Sequence, residues 1–151
     1  MKAMKLMTAA ALAAGVSFPA WGAHATKDEA IAMVNKAVAY FKQVGPEKAY
    51  AAFDNKEGGF KAGELYILVY GMDGHVLAHG ANVKLIGKDM NDAQDVDGKY
   101  YVKERIALAG KEKTFWQDYK FVNPVSKKIE PKQAYCERVD QSIICSGIYK
   151  Q

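Results

Sequence analysis

The sequence predicts an α+β fold, in which a long N-terminal helix is followed by a five-stranded, antiparallel sheet with connecting helical elements. Apolar residues recur at helical spacing in one early segment, whereas later segments are short runs rich in aromatic and β-branched residues. Tight polar turns join two pairs of these runs, as in antiparallel hairpins. The predicted strands cover residues 64–72, 75–79, 114–122, 132–139 and 143–149.

The first predicted helix begins at a capping box. Thr26 and Glu29 are three residues apart, so each side chain can accept from the backbone amide of the other residue. An apolar stripe follows at helical spacing, formed by Ile31, Val34, Val38 and Phe41. Gly45 and Pro46 end this helix, and Pro46 opens a second, short helix that runs through Phe53.

The segments between the strands are predicted to be loops and one further helix. The glycine-rich residues 57–63 form a loop, and the irregular residues 82–96 form a long functional loop. Residues 99–109 form a helix that ends at Gly110. Its core-facing residues are predicted to be Tyr101, Ile106 and Ala109. Residues 123–131 are long enough to form a projecting loop.

The first 25 residues have the pattern of a secretory signal peptide. Lys2 and Lys5 form a short basic start, and residues 6–18 form an apolar, alanine-rich run. Ala23 and Ala25 are small residues at the two positions that a signal peptidase reads. We therefore expect a periplasmic or secreted protein.

Cleavage after Ala25 leaves one domain over residues 26–151, which is long enough to bury a core. A cut after Gly22 also fits the small-residue pattern. The alternative is an uncleaved membrane anchor, because residues 6–23 approach the minimum length of a spanning helix. Pro19 and the small residues at the end of this run argue against an anchor.

The charge pattern makes nucleic acid an unexpected partner. The formal net charge is +4, and it falls to +2 without the two lysines of the leader. Beyond the leader, Lys127 and Lys128 form the one basic doublet, and the other lysines are scattered among acidic residues. No basic stripe suited to a phosphate backbone is present in the sequence.

The two cysteines are placed to meet across a hairpin. If Asp140 and Gln141 form a two-residue loop, Cys136 lies opposite Cys145 in a non-hydrogen-bonded pair, where side chains are close. A cross-strand disulfide is therefore predicted in an oxidising compartment. Two free thiols or a redox role are the alternatives, and the spacing does not match Cys-x-x-Cys.

The first hairpin is predicted to present a face with mixed chemistry. With Asp73 and Gly74 as a two-residue loop, Tyr70 pairs with Leu77 and Leu68 pairs with His79. One face then carries Tyr66, Leu68, Tyr70, Leu77 and His79. Apolar walls with a few polar groups suit a small polar ligand. The alternative is that the tyrosines are core residues and His79 bonds only to the backbone.

Two series of residues carry a resemblance to a known family. They are Tyr70, Gly74, His79, Asn82, Gly87 and Lys88, and Trp116, Tyr119, Pro124, Lys132 and Tyr135. With them, residues 64–149 resemble the single Cache domain of the second type, an extracytoplasmic ligand-binding sensor with a PAS-like sheet. Gly80 and Cys136 depart from the family pattern, which has proline and an aliphatic residue there. The pocket residues that the resemblance favours are Trp116, Tyr119, Lys132 and Tyr135.

Strand alternation does not place all four of these residues together. Trp116 and Tyr119 are three positions apart, so they point to opposite faces unless a bulge intervenes. Tyr135 alternates to the other face from Lys132 in the same way. Lys132 can pair with a carboxylate ligand as a point charge, or it can be a solvated lysine after a proline.

Metal and enzyme chemistry have little support in the sequence. An oxygen-rich loop contains Asp89, Asn91, Asp92, Asp95 and Asp97, but its spacing misses the calcium-loop pattern. His75 and His79 are four apart on a strand and lack the acidic residue of the zinc-protease arrangement. No nucleophile elbow, phosphate-binding glycine loop or haem motif is found. We expect no cofactor, no metal and no catalysis.

The leading hypothesis is an exported, soluble Cache-type domain that binds a short carboxylate for sensing or signal transduction. The contacting residues would be the aromatic walls, the tyrosine hydroxyls, His79 and Lys132. Signalling would then need a partner, such as a membrane receptor or a kinase. The alternative is a periplasmic interaction or structural protein with a vestigial pocket, which docks through the helix over residues 27–44.

Overall fold

The computed structural model describes residues 24–150 and confirms the predicted α+β architecture. Helices α1 to α3 cover Lys27–Val44, Pro46–Asp54 and Tyr101–Lys111, and a 3-10 helix covers Val83–Leu85. Strands β1 to β7 cover Lys61–Ala62, Leu65–Tyr66, Leu68–Gly71, Val76–His79, Thr114–Val122, Ile129–Val139 and Ser142–Tyr149. Strands β3 to β7 form one antiparallel sheet in the order β4-β3-β7-β6-β5. Apart from its last two residues, the predicted signal peptide lies outside the described residues and stays a prediction.

Helix α1 begins at the predicted capping box. Glu29 N donates to Thr26 Oγ1 (3.2 Å), and Thr26 N donates to the Glu29 carboxylate (2.7 Å). Val34, Val38 and Phe41 of the predicted apolar stripe are buried against the sheet. Because this stripe lies in the core of its own chain, it is not an exposed surface on which a partner can dock.

Both faces of the sheet are covered. Helices α1 and α2 pack on one face, over a core that includes Phe53, Val69 and Ile144. Helix α3 packs on the other face together with side chains of the loop over residues 82–100. We call this second face the α3 face. It is rich in tyrosine, and it contains the polar cluster described below.

The turn of the β3–β4 hairpin is longer than predicted. Residues 72–74 form a three-residue loop, in which Gly74 has a left-handed φ of 89°. Gly74 N donates to Gly71 O (3.0 Å), and Gly71 N donates to His75 O (2.9 Å). A turn closed by a left-handed glycine is the usual three-residue hairpin loop.

This turn changes the register close to it. Tyr70 pairs with Val76, so the predicted pairing with Leu77 is wrong. A bulge then restores the predicted pairing of Leu68 with His79. Leu77 consequently packs against the core beneath α1 and α2, not on the predicted ligand face.

The predicted strand over residues 64–72 is two strands. Strand β2 pairs with β1 in a separate two-stranded sheet, and β3 joins the main sheet. Strand β1 lies within the predicted loop over residues 57–63. Gly63, with a φ of 60°, allows the tight turn between β1 and β2.

Two other boundaries differ from the predictions. Gly110 lies inside α3, which continues to Lys111, because this glycine does not take the left-handed conformation that ends helices. Strand β6 begins at Ile129, so the predicted projecting loop is shorter. Pro131 pairs with Lys120 of β5, although it has no N–H to donate.

The predicted disulfide between Cys136 and Cys145 is present. The two residues face each other in the β6–β7 pairing, and their Cα atoms are 4.1 Å apart. Asp140, with a φ of 52°, forms the turn between the strands with Gln141. Both half-cystines are fully buried on the α3 face.

Replacing both cysteines with alanine is expected to lower the free energy of unfolding by about 2 to 3 kcal/mol, because the unfolded chain loses a short closed loop. Denaturant unfolding of the parent and of the double variant measures the difference. A reductant should destabilise the parent and leave the double variant unchanged. An equal response of both proteins to the reductant would contradict a stabilising role of this bond.

Among residues 24–150, none of the helices combines the length and the apolar character that crossing a bilayer requires.

Candidate functional site

Two cations are buried on the α3 face of the sheet. Arg105 on α3 and Lys132 on β6 are each only 1% exposed. Within residues 24–150, neither forms an ion pair with a carboxylate. Gly147 leaves room for the lysine stem, since a Cβ there would lie 2.8 Å from Lys132 Cε. An uncompensated charge in a protein interior is unfavourable, so these side chains are the first candidates for a binding site.

The guanidinium of Arg105 lies among three tyrosine rings. Its Cζ atom is 4.8 Å from the centroid of the Tyr70 ring and 5.1 Å from that of Tyr119. The Tyr101 ring is 5.8 Å away. Nε donates to Gln117 Oε1 (2.9 Å). The hydroxyls of Tyr70 and Tyr119 interact with the guanidinium, but no acceptor in the described part of the chain has normal hydrogen-bond geometry to the buried Nη1 and Nη2. The forked end of Arg105 therefore matches a carboxylate, which can accept from both nitrogens.

Lys132 donates the first hydrogen bond of a chain that runs through two tyrosine hydroxyls to a backbone carbonyl. Its Nζ donates to Tyr66 Oη (2.8 Å), which lies 3.2 Å from Tyr149 Oη. Tyr149 Oη donates its one proton to Val122 O (2.8 Å), so the Tyr66 hydroxyl donates to Tyr149. This arrangement uses one of the three N–H donors of the ammonium group, and the Tyr119 hydroxyl is near enough to use a second. Lys132 therefore keeps at least one donor for a ligand.

Tyr119 lies between the two cations. Its ring centroid is 5.7 Å from Lys132 Nζ and 5.1 Å from Arg105 Cζ. Burial raises the pKa of Tyr119, but Lys132 and Arg105 outweigh it and hold the pKa below its ordinary value. Burial likewise lowers the pKa of Lys132, but Tyr119 and Tyr66 outweigh it and raise that pKa. Both cations therefore stay charged at neutral pH, and the cluster attracts anions.

His79 adds a neutral donor beside the cations. Burial first, and then the positive charges of Lys132 and Arg105, lower the pKa of His79 to about 3. Its Nδ1 accepts from Asn82 N (3.0 Å), so the neutral ring carries its proton on Nε2. The ring lies 5.2 Å from that of Tyr66. His79 is therefore placed to donate a hydrogen bond to an anion without changing the charge of the cluster.

Burial of neutral His79 should make the fold sensitive to acid. The folded-state pKa is about 3 against an ordinary value of 6.5, so this contribution to stability is present above pH 6.5 and is lost as the pH falls towards 3. Between pH 7 and pH 5 we expect the free energy of unfolding to fall by about 2 kcal/mol. Denaturant unfolding should show that His79→Asn removes this pH dependence and that the half-exposed control His75→Asn keeps it. An unchanged pH dependence in His79→Asn would contradict the assignment.

Five of the seven predicted ligand-binding residues come together on the α3 face. They are Tyr66, Tyr70, His79, Tyr119 and Lys132. Trp116 and Tyr135 lie on the other face, where their ring centroids are 5.2 Å apart and Lys27 Nζ lies 5.2 Å from the Trp116 ring. Strands β5 and β6 pair without a bulge, so alternation separates Trp116 from Tyr119. The structure therefore does not bring Trp116 and Tyr135 into the cluster.

The set of site residues predicted from the sequence does not include Arg105, Gln117 and Tyr149. A signal for Arg105 exists on α3, because Tyr101, Arg105 and Ala109 recur every four residues and share one face. An arginine in the middle of a buried stripe indicates an internal charge. Gln117 is buried, and its Nε2 donates to Tyr101 O (2.7 Å), which ties the start of α3 to β5.

In the acidic loop, aspartate side-chain oxygens accept hydrogen bonds from backbone N–H groups of the same loop. Asp95 Oδ1 accepts from Asp97 N (2.9 Å) and Lys99 N (3.0 Å), and Asp89 Oδ1 accepts from Asn91 N (2.9 Å). These are the turns that aspartate side chains commonly form. Over residues 24–150, no group of three or more His, Cys, Asp or Glu is placed to hold a metal ion.

The family of this chain follows from a match over most of its length. The family model described as Single Cache domain 2 matches residues 23–150. The chain belongs to the single Cache domain 2 family. Cache domains are extracytoplasmic sensory domains that bind ligands. No curated protein matches this Cache domain in sequence.

Solved structures of Cache sensor domains share the fold. One is a methyl-accepting chemotaxis protein from Vibrio parahaemolyticus RIMD 2210633, with a TM-score of 0.73, 20% identity and coverage of 82% of this chain and 87% of that chain. A Cache chemosensory domain described for carboxylic acid recognition has a TM-score of 0.71, 18% identity and coverage of 82% and 92%. A periplasmic sensor domain of a chemotaxis protein has a TM-score of 0.63, 20% identity and coverage of 82% and 90%. At these identities the likeness shows the fold alone.

Proposed function

We propose that this Cache domain binds a small organic carboxylate for sensing or signal transduction, and that Arg105 and Lys132 are its principal contacts. The observation that supports this proposal is the pair of buried cations without an ion-pair partner among residues 24–150. A carboxylate would supply both the missing charge and acceptors for Nη1 and Nη2 of Arg105.

The surroundings of the cations favour a small ligand. The walls are tyrosine rings, which combine apolar surface with hydroxyl groups and lose little conformational freedom on binding. A surface pocket of about 230 Å³ opens beside edge strand β5, and Tyr119 and Lys132 contribute to its wall. This pocket reaches the margin of the cluster at Tyr119 and Lys132, and Arg105 and His79 do not line it. His79 would add the donor that orients the carboxylate.

The solved Cache chemosensory domain described for carboxylic acid recognition supports the same class of ligand. We further propose that the chain is exported, as its predicted signal peptide indicates, and that it acts through a membrane receptor or kinase partner rather than as an enzyme. The chemotaxis proteins among its structural neighbours support this role. Mass spectrometry of the protein recovered from outside the cytoplasm would show whether the first 25 residues have been removed.

Thermal unfolding tests the proposed ligand class. Residues 24–151, which contain all the helices and strands that the structure describes, are unfolded without reductant and refolded to remove any bound ligand. A carboxylate that binds should add about 2.7 kcal/mol at 100 times its dissociation constant, and so raise the melting temperature by several degrees. The amide of the same acid is the matched control and should give no shift.

Absence of a shift across short carboxylates, or equal shifts with the amides, would contradict carboxylate binding through the two cations. That result would favour the alternative function, an interaction protein with a vestigial pocket. Burial of the α1 stripe means that such a protein would need a docking surface other than the apolar side of α1.

A further inference from the structure

We infer that the ligand is a short dicarboxylate, with one carboxylate at Arg105 and the other at Lys132. This inference rests on the proposed function and concerns the same site. It follows from three features of the cluster: the number of charges, the number of unused donors, and the separation of the two cations.

The charges require two anionic groups for full compensation. Arg105 and Lys132 each carry one positive charge and are 1% exposed, and His79 adds none because its ring is neutral. A monocarboxylate compensates one of these charges and leaves the other buried without a partner. A dicarboxylate compensates both, and compensation matters most where water is excluded.

The unused donors form two groups. One group consists of Nη1 and Nη2 of Arg105, which are buried and have no hydrogen-bond partner of normal geometry among residues 24–150. The other consists of the remaining N–H groups of Lys132 and Nε2–H of His79. One carboxylate has two oxygen atoms, so it cannot accept hydrogen bonds from both groups of donors with good geometry. Separate tyrosine rings also border the two groups, Tyr70 at the arginine and Tyr66 at the lysine.

The separation of the cations suits a short diacid. Arg105 Cζ and Lys132 Nζ lie 5.1 Å and 5.7 Å from the centroid of the Tyr119 ring, so they are less than about 11 Å apart. A charge-assisted hydrogen bond of about 2.8 Å at each end then leaves at most about 5 Å between the acceptor oxygens. Diacids with one or two carbons between the carboxyl groups meet this limit, and longer ones would have to fold.

Calorimetric titration with three matched probes tests the inference. Succinate is compared with butyrate, which has the same chain length and one carboxylate, and with succinamate, in which one carboxylate becomes a neutral amide. We expect succinate to bind at least about 30-fold more tightly than either, because each probe loses one close charge pair. In Lys132→Met, succinate and butyrate should bind with affinities within about threefold of each other. Lys42→Met should keep the preference for succinate, because Lys42 is exposed in the last turn of α1, outside the cluster.

The outcomes separate this inference from the proposed function. Binding of butyrate as tight as that of succinate would overturn the dicarboxylate inference and leave carboxylate binding intact. A preference for succinate that persists in Lys132→Met would overturn the assignment of the second carboxylate to Lys132. Malonate is titrated beside succinate, so that a ligand with the shorter spacing is not missed. Failure of every mono- and dicarboxylate to bind would contradict the proposed function itself.

Discussion

Arg105→Met is expected to weaken carboxylate binding by about 30- to 1000-fold. Truncating one member of a buried, hydrogen-bonded charge pair removes about 2 to 4 kcal/mol of binding free energy. Arg105 has two buried nitrogens that lack a hydrogen-bond partner of normal geometry in the described part of the chain, so its contacts with a carboxylate would be both charged and bidentate. Methionine keeps an unbranched side chain of similar length against the tyrosine rings. Calorimetric titration with the carboxylate that stabilises the parent protein measures the loss.

Arg138→Met is the matched control for this change. Arg138 lies near the far end of β6, where its Nε donates to Asp140 O (2.9 Å) and its Nη1 to Ala109 O (3.3 Å). The same chemical change at this position removes backbone contacts outside the cluster, so affinity should stay within about twofold of the parent. Loss of affinity in both variants would indicate a general effect on the fold. Full affinity in Arg105→Met would exclude Arg105 from the site.

Lys132→Met is expected to have opposite effects on stability and on binding. Replacing a buried cation that has no carboxylate partner among residues 24–150 with an apolar side chain of similar volume should raise the free energy of unfolding of the ligand-free protein by about 1 to 4 kcal/mol. The loss of the hydrogen bond to Tyr66 should offset about 1 kcal/mol of this gain. The carboxylate that stabilises the parent should stabilise the variant less. Denaturant unfolding with and without ligand measures both effects.

Lys42→Met provides the control for this variant. Lys42 is exposed in the last turn of α1, so its replacement should change stability by no more than about 0.5 kcal/mol. It should also leave the effect of the ligand unchanged. A large loss of stability in ligand-free Lys132→Met would show that the ligand-free fold already compensates the charge of Lys132. The ligand would then not be needed to supply a counter-charge at this position.

Local patterns account for the parts of the fold that were predicted well. The capping box at Thr26 and the boundaries of β5 depend on neighbouring residues, and both are confirmed. The register of the β6–β7 hairpin follows from a two-residue turn, so the Cys136–Cys145 pair is also confirmed. The β3–β4 register was wrong beside its turn because Gly74 takes a left-handed conformation that lengthens the loop by one residue.

The candidate site was predicted only in part, because its members come from elements far apart in the sequence. Alternation correctly separates Tyr119 from Trp116, and the resemblance to Cache domains correctly indicates the fold. Arg105 was missed because its only local sign of burial is the four-residue spacing from Tyr101 and Ala109, and arginine on a helix is usually solvated. Only the packing of α3 on the sheet places its guanidinium beside Tyr119.

The sequence by itself determined the order of the three α-helices and of the five strands of the main sheet, the cross-strand disulfide and the membership of the Cache family. These properties depend on residues that are close in the chain or on a pattern spread along it. Only the tertiary structure decided that Arg105 and Lys132 share one buried cluster and that neither has a carboxylate partner among residues 24–150. Burial and charge compensation depend on every element packed around a group, and the chemistry proposed for this site follows from those two properties.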